Sequence, residues 1–443
     1  MRYAIELGLR GLTRHPRTMA LSVLLLALGL AAVTSMLTLL AMLSGDPLPG
    51  ISEGLYLATA DSRQAERSAE STDPDRDAPQ FLWKLDDARA MMAAVPQVRQ
   101  AALMTTPLQL RTPDGTRSRN GHAVLAAGPM PAMFGVPLRS GRFWTPQEEA
   151  DGARVAVVDE AASVALLGTA DGVGRDVRIG EGVFRVIGVS GAWTPQPRFH
   201  FLQSADEAWR GRGADVAFLP VRAALDAGVA PVGSRQCDDH GVGGFGFDRI
   251  DLGACRWLAL WAELRGPGQR EDYAAALAAF AQARHDAGAF ERAPATRLYG
   301  VRDWLAANRV VPDSVRLNLW LALGLLVLCM VNVAGLLAAR FLRRAGELGV
   351  RRVLGAPRRS VVVQCLVEAG AAGVAGGLLA LPLTLFGLWV IRLQDHGYTD
   401  LARLDLRLFA VLMALSLAVG LLVGLLPALR AARLAPVLQV KSL

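Results

Sequence analysis

The chain contains 443 residues, of which 52% are hydrophobic and 20% are charged, and its formal net charge is +7. So high a hydrophobic share argues against a wholly soluble protein, whereas the charged share requires a substantial aqueous domain. The positive charge does not indicate a nucleic-acid partner, because the excess arginine lies beside apolar segments, where arginine contacts anionic membrane lipid.

Four long apolar runs stand out along the chain. A helix of about 20 apolar residues crosses the hydrocarbon core of a bilayer, and each run reaches that length. The runs occupy residues 19–43, 317–341, 361–391 and 408–429. The sequence therefore predicts a membrane protein with four transmembrane α-helices and a large extracytoplasmic domain between the first and second helices.

Arginine placement predicts the orientation of these helices. Arginine outnumbers acidic residues in 1–17 and from 340 to 360, and short segments of this kind stay in the cytoplasm. Because the number of spans is even, both termini are expected there. The predicted parts are a cytoplasmic amphipathic segment (1–17), a first span (18–43), the extracytoplasmic domain (44–315), a second span (316–341), a cytoplasmic coupling loop (342–360), a third span (361–391), a short periplasmic segment (392–407), a fourth span (408–429) and a cytoplasmic tail (430–443).

The first apolar run has two interpretations. It exceeds the usual length of a signal-peptide core, and no clear small-residue cleavage motif follows Leu43, so we favour a retained helix over a cleaved signal peptide. Upstream of it, Ile5, Leu9 and Leu12 would share one face of a short interfacial helix. A basic leader without regular structure is the alternative.

The large extracytoplasmic domain shows a mixed pattern. Helical spacing covers 81–95 and 272–285, whereas short β-like runs cover 101–110, 121–127, 154–158, 177–179 and 184–189, with a turn at 113–115. Residues 44–80 suggest loops and an edge strand, and the glycine-rich stretch 233–253 suggests a flexible excursion. The sequence predicts an α+β domain of one or two subdomains.

Cysteine positions agree with this topology. Cys237 and Cys255 bracket the glycine-rich stretch in the compartment where disulfides persist, and we predict a bridge between them. Cys329 and Cys365 fall in predicted spans, where an isolated thiol behaves as a small hydrophobic side chain.

Within the third span, Glu368 is the notable polar residue. An intramembrane carboxylate is energetically costly and usually marks function. Since Glu368 lies near the cytoplasmic end of its span, we favour a structural role in which it reaches head-group water or pairs with a loop arginine. Proton or substrate handling is the alternative.

Glycine pairs occur in the third and fourth spans. Gly373 and Gly377 stand four residues apart, as do Gly420 and Gly424. This spacing lets two helix backbones approach closely in lipid.

The chain lacks a phosphate-binding P-loop. Such a loop needs Gly-Lys-Ser/Thr, and neither Lys84 nor Lys441 follows a glycine. The run Gly188-Val-Ser-Gly191 has the wrong spacing for a Gly-x-Ser-x-Gly elbow, and the six histidines are scattered. The run 238–240 (Asp-Asp-His) fits an acidic loop better than a cation site. We expect no enzyme, and no catalytic, cofactor-binding or metal-binding residues on this chain.

The loop after the second span carries the predicted coupling element. Val350, Val353 and Leu354 share one face of a short amphipathic helix that would stop at Gly355-Ala-Pro357. That apolar face could dock in a groove of a partner, with charged neighbours fixing the orientation. The alternative is a helix lying on anionic head groups. The predicted coupling residues are Glu347, Val350, Arg351, Arg352, Val353 and Leu354.

Several of these segments resemble the FtsX/MacB-type ABC transporter permeases. The loop Glu347-Leu-Gly-Val-Arg-Arg-Val-Leu-Gly-Ala-Pro-Arg-Arg-Ser360, with Gln364 and Glu368-Ala369, is similar to that family's loop and third helix. Residues 426–438 resemble its C-terminal signature. Residues 138–143, 154–160 and 184–189 are similar to its MacB-type periplasmic core domain, whereas 191–260 is the least similar part.

The resemblance implies a multi-pass permease of the bacterial inner membrane that works by mechanotransmission. ATP would be bound by a separate ABC ATP-binding protein, and its closure would be passed from the loop to the periplasmic domain. A second permease, in a homodimer or a heterodimer, a periplasmic adaptor and an outer-membrane channel are the further expected partners. Family members export or release drugs, peptides or lipoproteins. The alternative is a non-transporting regulator of a periplasmic enzyme such as a cell-wall hydrolase.

Overall fold

The computed structural model describes residues 16–62, 81–202, 205–209, 214–232, 236–237, 252–291, 294–343, 350, 355, 357–392 and 406–433. The chain forms two compact units. One comprises Met1–Ser44 with Pro312–Leu443, and the other comprises Gly45–Val311.

The unit Gly45–Val311 contains both helices and strands. The described part of the other unit contains helices. The helices are α1 (Pro16–Leu43), α2 (Leu85–Ala94), α3 (Met130–Met133), α4 (Pro146–Ala150), α5 (Glu160–Leu167), α6 (Val221–Asp226), α7 (Gly266–Asp286), α8 (Val301–Ala307), α9 (Asp313–Arg343), α10 (Arg358–Arg392) and α11 (Leu406–Arg433). The strands are β1 (Leu55–Ala60), β2 (Leu82–Trp83), β3 (Arg99–Arg111), β4 (Ser118–Ala127), β5 (Leu138–Gly141), β6 (Val155–Asp159), β7 (Asp176–Ile179), β8 (Gly182–Ser190), β9 (Ala217–Pro220), β10 (Gln236–Cys237), β11 (Cys255–Arg256), β12 (Leu258–Glu263) and β13 (Thr296–Gly300).

The helical unit contains α1, α9, α10 and α11, and these four described helices are long and apolar enough to cross a membrane. This confirms the predicted set of four spans. Helix α1 contacts the other three, and α10 packs along α11. Leu26, Leu30 and Val333 belong to their shared core. The buried hydroxyls of Thr34 and Thr38 donate to carbonyls one turn earlier in α1. Because both hydroxyls are hydrogen-bonded, burying them among apolar side chains costs little free energy.

The other unit is built on one large sheet, which confirms the predicted α+β domain. Its strands follow the order β13-β1-β12-β3-β4-β9-β6-β8-β5, and β2 adds to β12. Strand β7 pairs with both β3 and β8. The pairings β3-β4-β9-β6-β8-β7 therefore close into a ring, whose interior is filled by apolar side chains such as Leu125, Phe184 and Leu219.

The β3–β4 hairpin forms the longest ladder of the ring, from Ala102 opposite Ala127 to Arg111 opposite Ser118. Its turn is the predicted one at 113–115. The Asp114 carboxylate accepts bonds from the backbone and hydroxyl of Thr116, and Gly115 has φ +75°, a conformation that favours glycine.

Two predicted elements of this domain are wrong. The helix expected at 81–95 begins only at Leu85, because Leu82 and Trp83 instead pair with β12, and the Trp83 indole donates to the carbonyl of Ala58. The edge strand expected within 44–80 is β1. It lies inside the sheet, paired on both sides with β12 and β13.

Candidate functional site

The polar centre of the helical unit is an ion pair between α9 and α10. Nη2 of Arg340 lies 2.7 Å from Oε1 of Glu368, and the two side chains are 6% and 2% exposed. The other guanidinium nitrogen of Arg340 lies 3.3 Å from the sulfur of Met19 on α1. Three helices therefore meet at this pair.

The position of the pair explains why two charges can be buried there. An isolated charge in the apolar core of a membrane is costly, and the attraction of an opposite charge at 2.7 Å offsets part of that cost. Arg340 lies in the last turn of α9, one turn before the segment that leads to α10. The sequence suggests head-group water or a loop arginine as partners for Glu368, and the structure pairs it with Arg340, inside the last turn of α9.

The predicted coupling residues lie in the segment between α9 and α10. Glu347, Arg351, Arg352, Val353 and Leu354 fall outside the described residues. The side chain of Val350 is 44% exposed. At the end of the segment, Gly355 has φ +96°, and the amide of Ser360 donates to the carbonyl of Pro357 at the start of α10.

All four predicted packing glycines lie between α10 and α11. A Cβ at Gly373 would lie 2.9 Å from the Cα of Gly420, and one at Gly424 would lie 2.2 Å from the Cβ of Ala369. A Cβ at Gly377 would meet the hydroxyl of Ser416. The two helix backbones are therefore in contact at Gly373 and Gly420, where a larger residue would clash.

A second buried polar group occurs in the sheet domain, and the sequence analysis missed it. Arg198 donates to Asp215 at 2.9 Å, and Nε2 of His200 lies 3.2 Å from the hydroxyl of Thr105. Burial raises the pKa of Asp215 to about 6, partly offset by the Arg198 charge. Burial and the same guanidinium lower the pKa of His200.

This buried group does not resemble a catalytic centre. Its three charged or titratable side chains are buried, and the His200 ring lies against the rings of Trp193 and Phe199. Within the described parts of the chain, no group of three or more His, Cys, Asp or Glu side chains could hold a metal ion. The arrangement therefore favours a structural role.

Family comparisons cover both units. Residues 19–277 match the MacB-like periplasmic core domain, and residues 320–436 match the FtsX-like permease C-terminal domain. The chain belongs to the MacB/FtsX family of ABC transporter permeases. It is a multi-pass membrane protein with a periplasmic domain, which confirms the resemblance seen in the loop, the fourth helix and the core-domain segments.

A curated relative of the permease is the "Macrolide export ATP-binding/permease protein MacB" of Azoarcus sp. (strain BH72). The two are 26% identical over 306 residues, which cover 69% of this chain and 40% of the relative. The permease thus spans well under half of that relative's length. Permeases of this family work with ABC ATPases.

Two solved structures are similar to the periplasmic domain of the permease. The periplasmic region of MacB from Actinobacillus actinomycetemcomitans is 14% identical, covers 57% of this chain and 92% of its own, and has a TM-score of 0.34. The extracellular domain of the noncanonic ABC-type transporter YknZ from Gram-positive bacteria is 11% identical, covers 55% and 99%, and has a TM-score of 0.35.

The permease contains a disulfide between Cys237 and Cys255, which stand opposite each other in the β10–β11 ladder. The sequence analysis placed a bridge at this pair. The acidic run at 238–240 lies outside the described residues.

Proposed function

We propose that this permease is the membrane subunit of an ABC exporter in the bacterial inner membrane, with both termini in the cytoplasm. A separate ATP-binding protein docks on the loop 342–360, and its ATP-driven motion reaches the periplasmic domain through the helices. The periplasmic domain then exports or releases a substrate such as a drug, a peptide or a lipoprotein.

The Arg340–Glu368 pair is the observation that carries this proposal. It joins the two helices that flank the coupling loop, at the end where the loop connects them. Separating two charges inside a low-dielectric core costs far more than separating them in water. A force on the loop is therefore expected to displace α9 and α10 together instead of prying them apart.

Chain connectivity supports the direction of transmission. Helix α1 ends at Leu43, directly before the periplasmic domain, and α9 begins at Asp313, directly after it. Helix α9 contributes Arg340 to the ion pair, and α1 contacts Arg340 through Met19. Displacement at the pair would thus reach both covalent connections to that domain.

The similar curated protein favours export over regulation of a periplasmic enzyme, because its name describes macrolide export by an ATP-binding permease. In the proposed assembly a second permease completes a dimer. A periplasmic adaptor and an outer-membrane channel would continue the route.

Two variants test docking and transmission separately in cells that co-express the candidate ATP-binding protein. Val353→Asp places a charge on the docking face and should abolish co-purification, because burying an unpaired charge is costly. Glu368→Gln should preserve co-purification but lower transport-coupled ATP hydrolysis at least several-fold. Val164→Asp is the matched control, since Val164 is half exposed in the periplasmic domain.

Three outcomes would contradict the proposal. Unchanged co-purification and ATP hydrolysis in Val353→Asp would exclude the loop as the docking element. Normal coupled hydrolysis in Glu368→Gln would exclude the ion pair from transmission. If Glu368→Gln does not accumulate, Arg340→Met combined with Glu368→Met removes both charges, an exchange that buried pairs often tolerate. Full coupling in that double variant would also contradict the role of the pair.

A further inference from the structure

Two arginines of the periplasmic domain stand directly opposite each other where β7 joins β3. Arg111 and Arg178 are cross-strand partners, and both are exposed. Like charges in this arrangement destabilise a sheet, whereas opposite charges stabilise it. On the other side of β7, in its ladder with β8, Asp176 shows the favourable case, because it stands opposite Arg185 and accepts its hydrogen bond at 3.1 Å.

Among the described residues, no carboxylate forms an ion pair with Arg111 or Arg178. The guanidinium of Arg111 donates to the side-chain oxygen of Gln109, a neutral group, at 2.7 Å from Nε. No described side chain accepts a hydrogen bond from Arg178. The nearby Asp114 is turned into its own loop, where its carboxylate accepts two bonds from Thr116.

The two arginines border a depression of about 290 Å³, and no acidic residue lines it. Apolar side chains, among them Leu108 and Val229, form part of the remaining surface. The volume lies at the lower limit of small-molecule sites, so it suits a head group with a short apolar stub better than a drug-sized molecule.

The far wall of the depression is held in place by the hydroxyl of Thr106. This hydroxyl donates to the carbonyl of Ala230 at 3.0 Å and accepts from the amide of Val232 at 3.1 Å. Gly180, with φ +58°, allows the chain to approach the carbonyl of Ala227, where a Cβ would lie 2.3 Å away. The wall is therefore preorganised, which reduces the entropy lost on binding.

We propose that this depression is a binding site for a phosphate monoester carried on a short apolar chain. The two guanidinium groups supply two positive charges, and Arg178 adds a planar donor fork that matches phosphate oxygens, whereas the Nε and Nη2 groups of Arg111 already donate to Gln109. A phosphate monoester carries a charge of about −1.5 to −2 at neutral pH, which balances the pair better than a single carboxylate does. The apolar lining contacts the chain. This site is independent of the proposed docking and transmission.

The test uses the full chain in nanodiscs of zwitterionic phosphatidylcholine, with binding measured by calorimetry for three probes. Hexyl phosphate should bind saturably, and more tightly than inorganic phosphate, which lacks the chain, or hexanoate, which has one charge. Arg178→Gln should weaken hexyl phosphate at least tenfold, and Arg178→Lys should recover only part of the affinity, because lysine lacks the planar fork. Arg154→Gln should bind as the wild type does, since Arg154 does not line the depression.

A stability measurement separates a ligand role from a structural one. Without ligand, Arg178→Gln removes a repulsion and should melt no lower than the wild type, whereas a structural arginine would lower the melting temperature when lost. Absence of saturable hexyl phosphate binding, equal binding by Arg178→Gln, or equal loss in Arg154→Gln would overturn the assignment. Equal affinity for hexyl phosphate and inorganic phosphate would show that the apolar lining does not contact the ligand chain, and the depression would then be a site for phosphate alone.

Discussion

Asp215 shows how a single buried carboxyl group makes the stability of the periplasmic domain depend on pH. Its pKa rises from 3.8 to about 6 on folding, because burial outweighs the attraction of Arg198, and Asp159 adds a further repulsion. A raised folded-state pKa contributes stability that is complete below pH 3.8 and is lost as the pH rises through 6. The lowered pKa of His200 acts in the opposite sense, since its contribution is present above pH 6.5 and is lost as the pH falls through its folded-state pKa.

We expect the melting temperature of Asp215→Asn, relative to that of the wild type, to be higher at pH 8 than at pH 5. The amide cannot ionise, so the variant escapes the loss of stability that the wild-type domain undergoes as the pH rises through 6. At pH 5 the wild-type carboxyl is mostly protonated and keeps more of that stability, so the wild type should compare better with the variant there. Tryptophan fluorescence can follow unfolding, since Trp193, whose ring centroid lies 5.0 Å from that of His200, is one of nine tryptophans in the chain. The exposed Asp226→Asn is the control, and an equal effect at both pH values would contradict the assigned titration.

The same residues show what sequence reading misses. Glu368 could be singled out because a carboxylate in an apolar run violates the local pattern. Asp215 and His200 carry no such signal. Thr105 and His200 are 95 residues apart, and only the folded sheet brings them together.

At the scale of elements, the contact between α10 and α11 depends on backbone proximity. Gly373→Leu should destabilise the helical unit by roughly 1–3 kcal/mol or more, because the added side chain meets the backbone of α11. Gly335→Leu on α9 is the matched control, since a Cβ there would meet nothing within 4 Å. Melting temperatures of both variants in detergent test this difference. If the two glycine variants melt alike, close packing at Gly373 does not stabilise the unit.

Long, periodic elements could be predicted from sequence, whereas elements decided by remote partners could not. The strands β3, β4 and β8 have recognisable β-like runs and were located within three residues of their ends. The apolar strand β12 was missed, because a strand buried on both faces lacks the alternation that marks a half-exposed one. The start of α2 was misplaced for a related reason, since β2 exists only through its pairing with β12.

At the scale of the whole molecule, the four spans could be predicted because bilayer thickness fixes their length and composition. The ring of strands could not, because its closure depends on β7 pairing with β3, and Arg178 and Arg111 are far apart in sequence. The coupling residues stay a prediction from helical spacing and family resemblance, whereas the arginine that pairs with Glu368 is identified as Arg340 only in three dimensions.

The orientation of the molecule remains a prediction from arginine placement, and impermeant maleimide labelling tests it. Ser118→Cys, exposed at the start of β4, should react in intact cells whose outer membrane is permeabilised. Ser360→Cys should react only after lysis, because short arginine-rich segments resist translocation. The native thiols should add little background, since Cys329 and Cys365 are buried and Cys237 is bridged to Cys255. Labelling of position 360 but not 118 in intact cells would reverse the topology, and with it the assignment of the loop to a cytoplasmic ATP-binding partner.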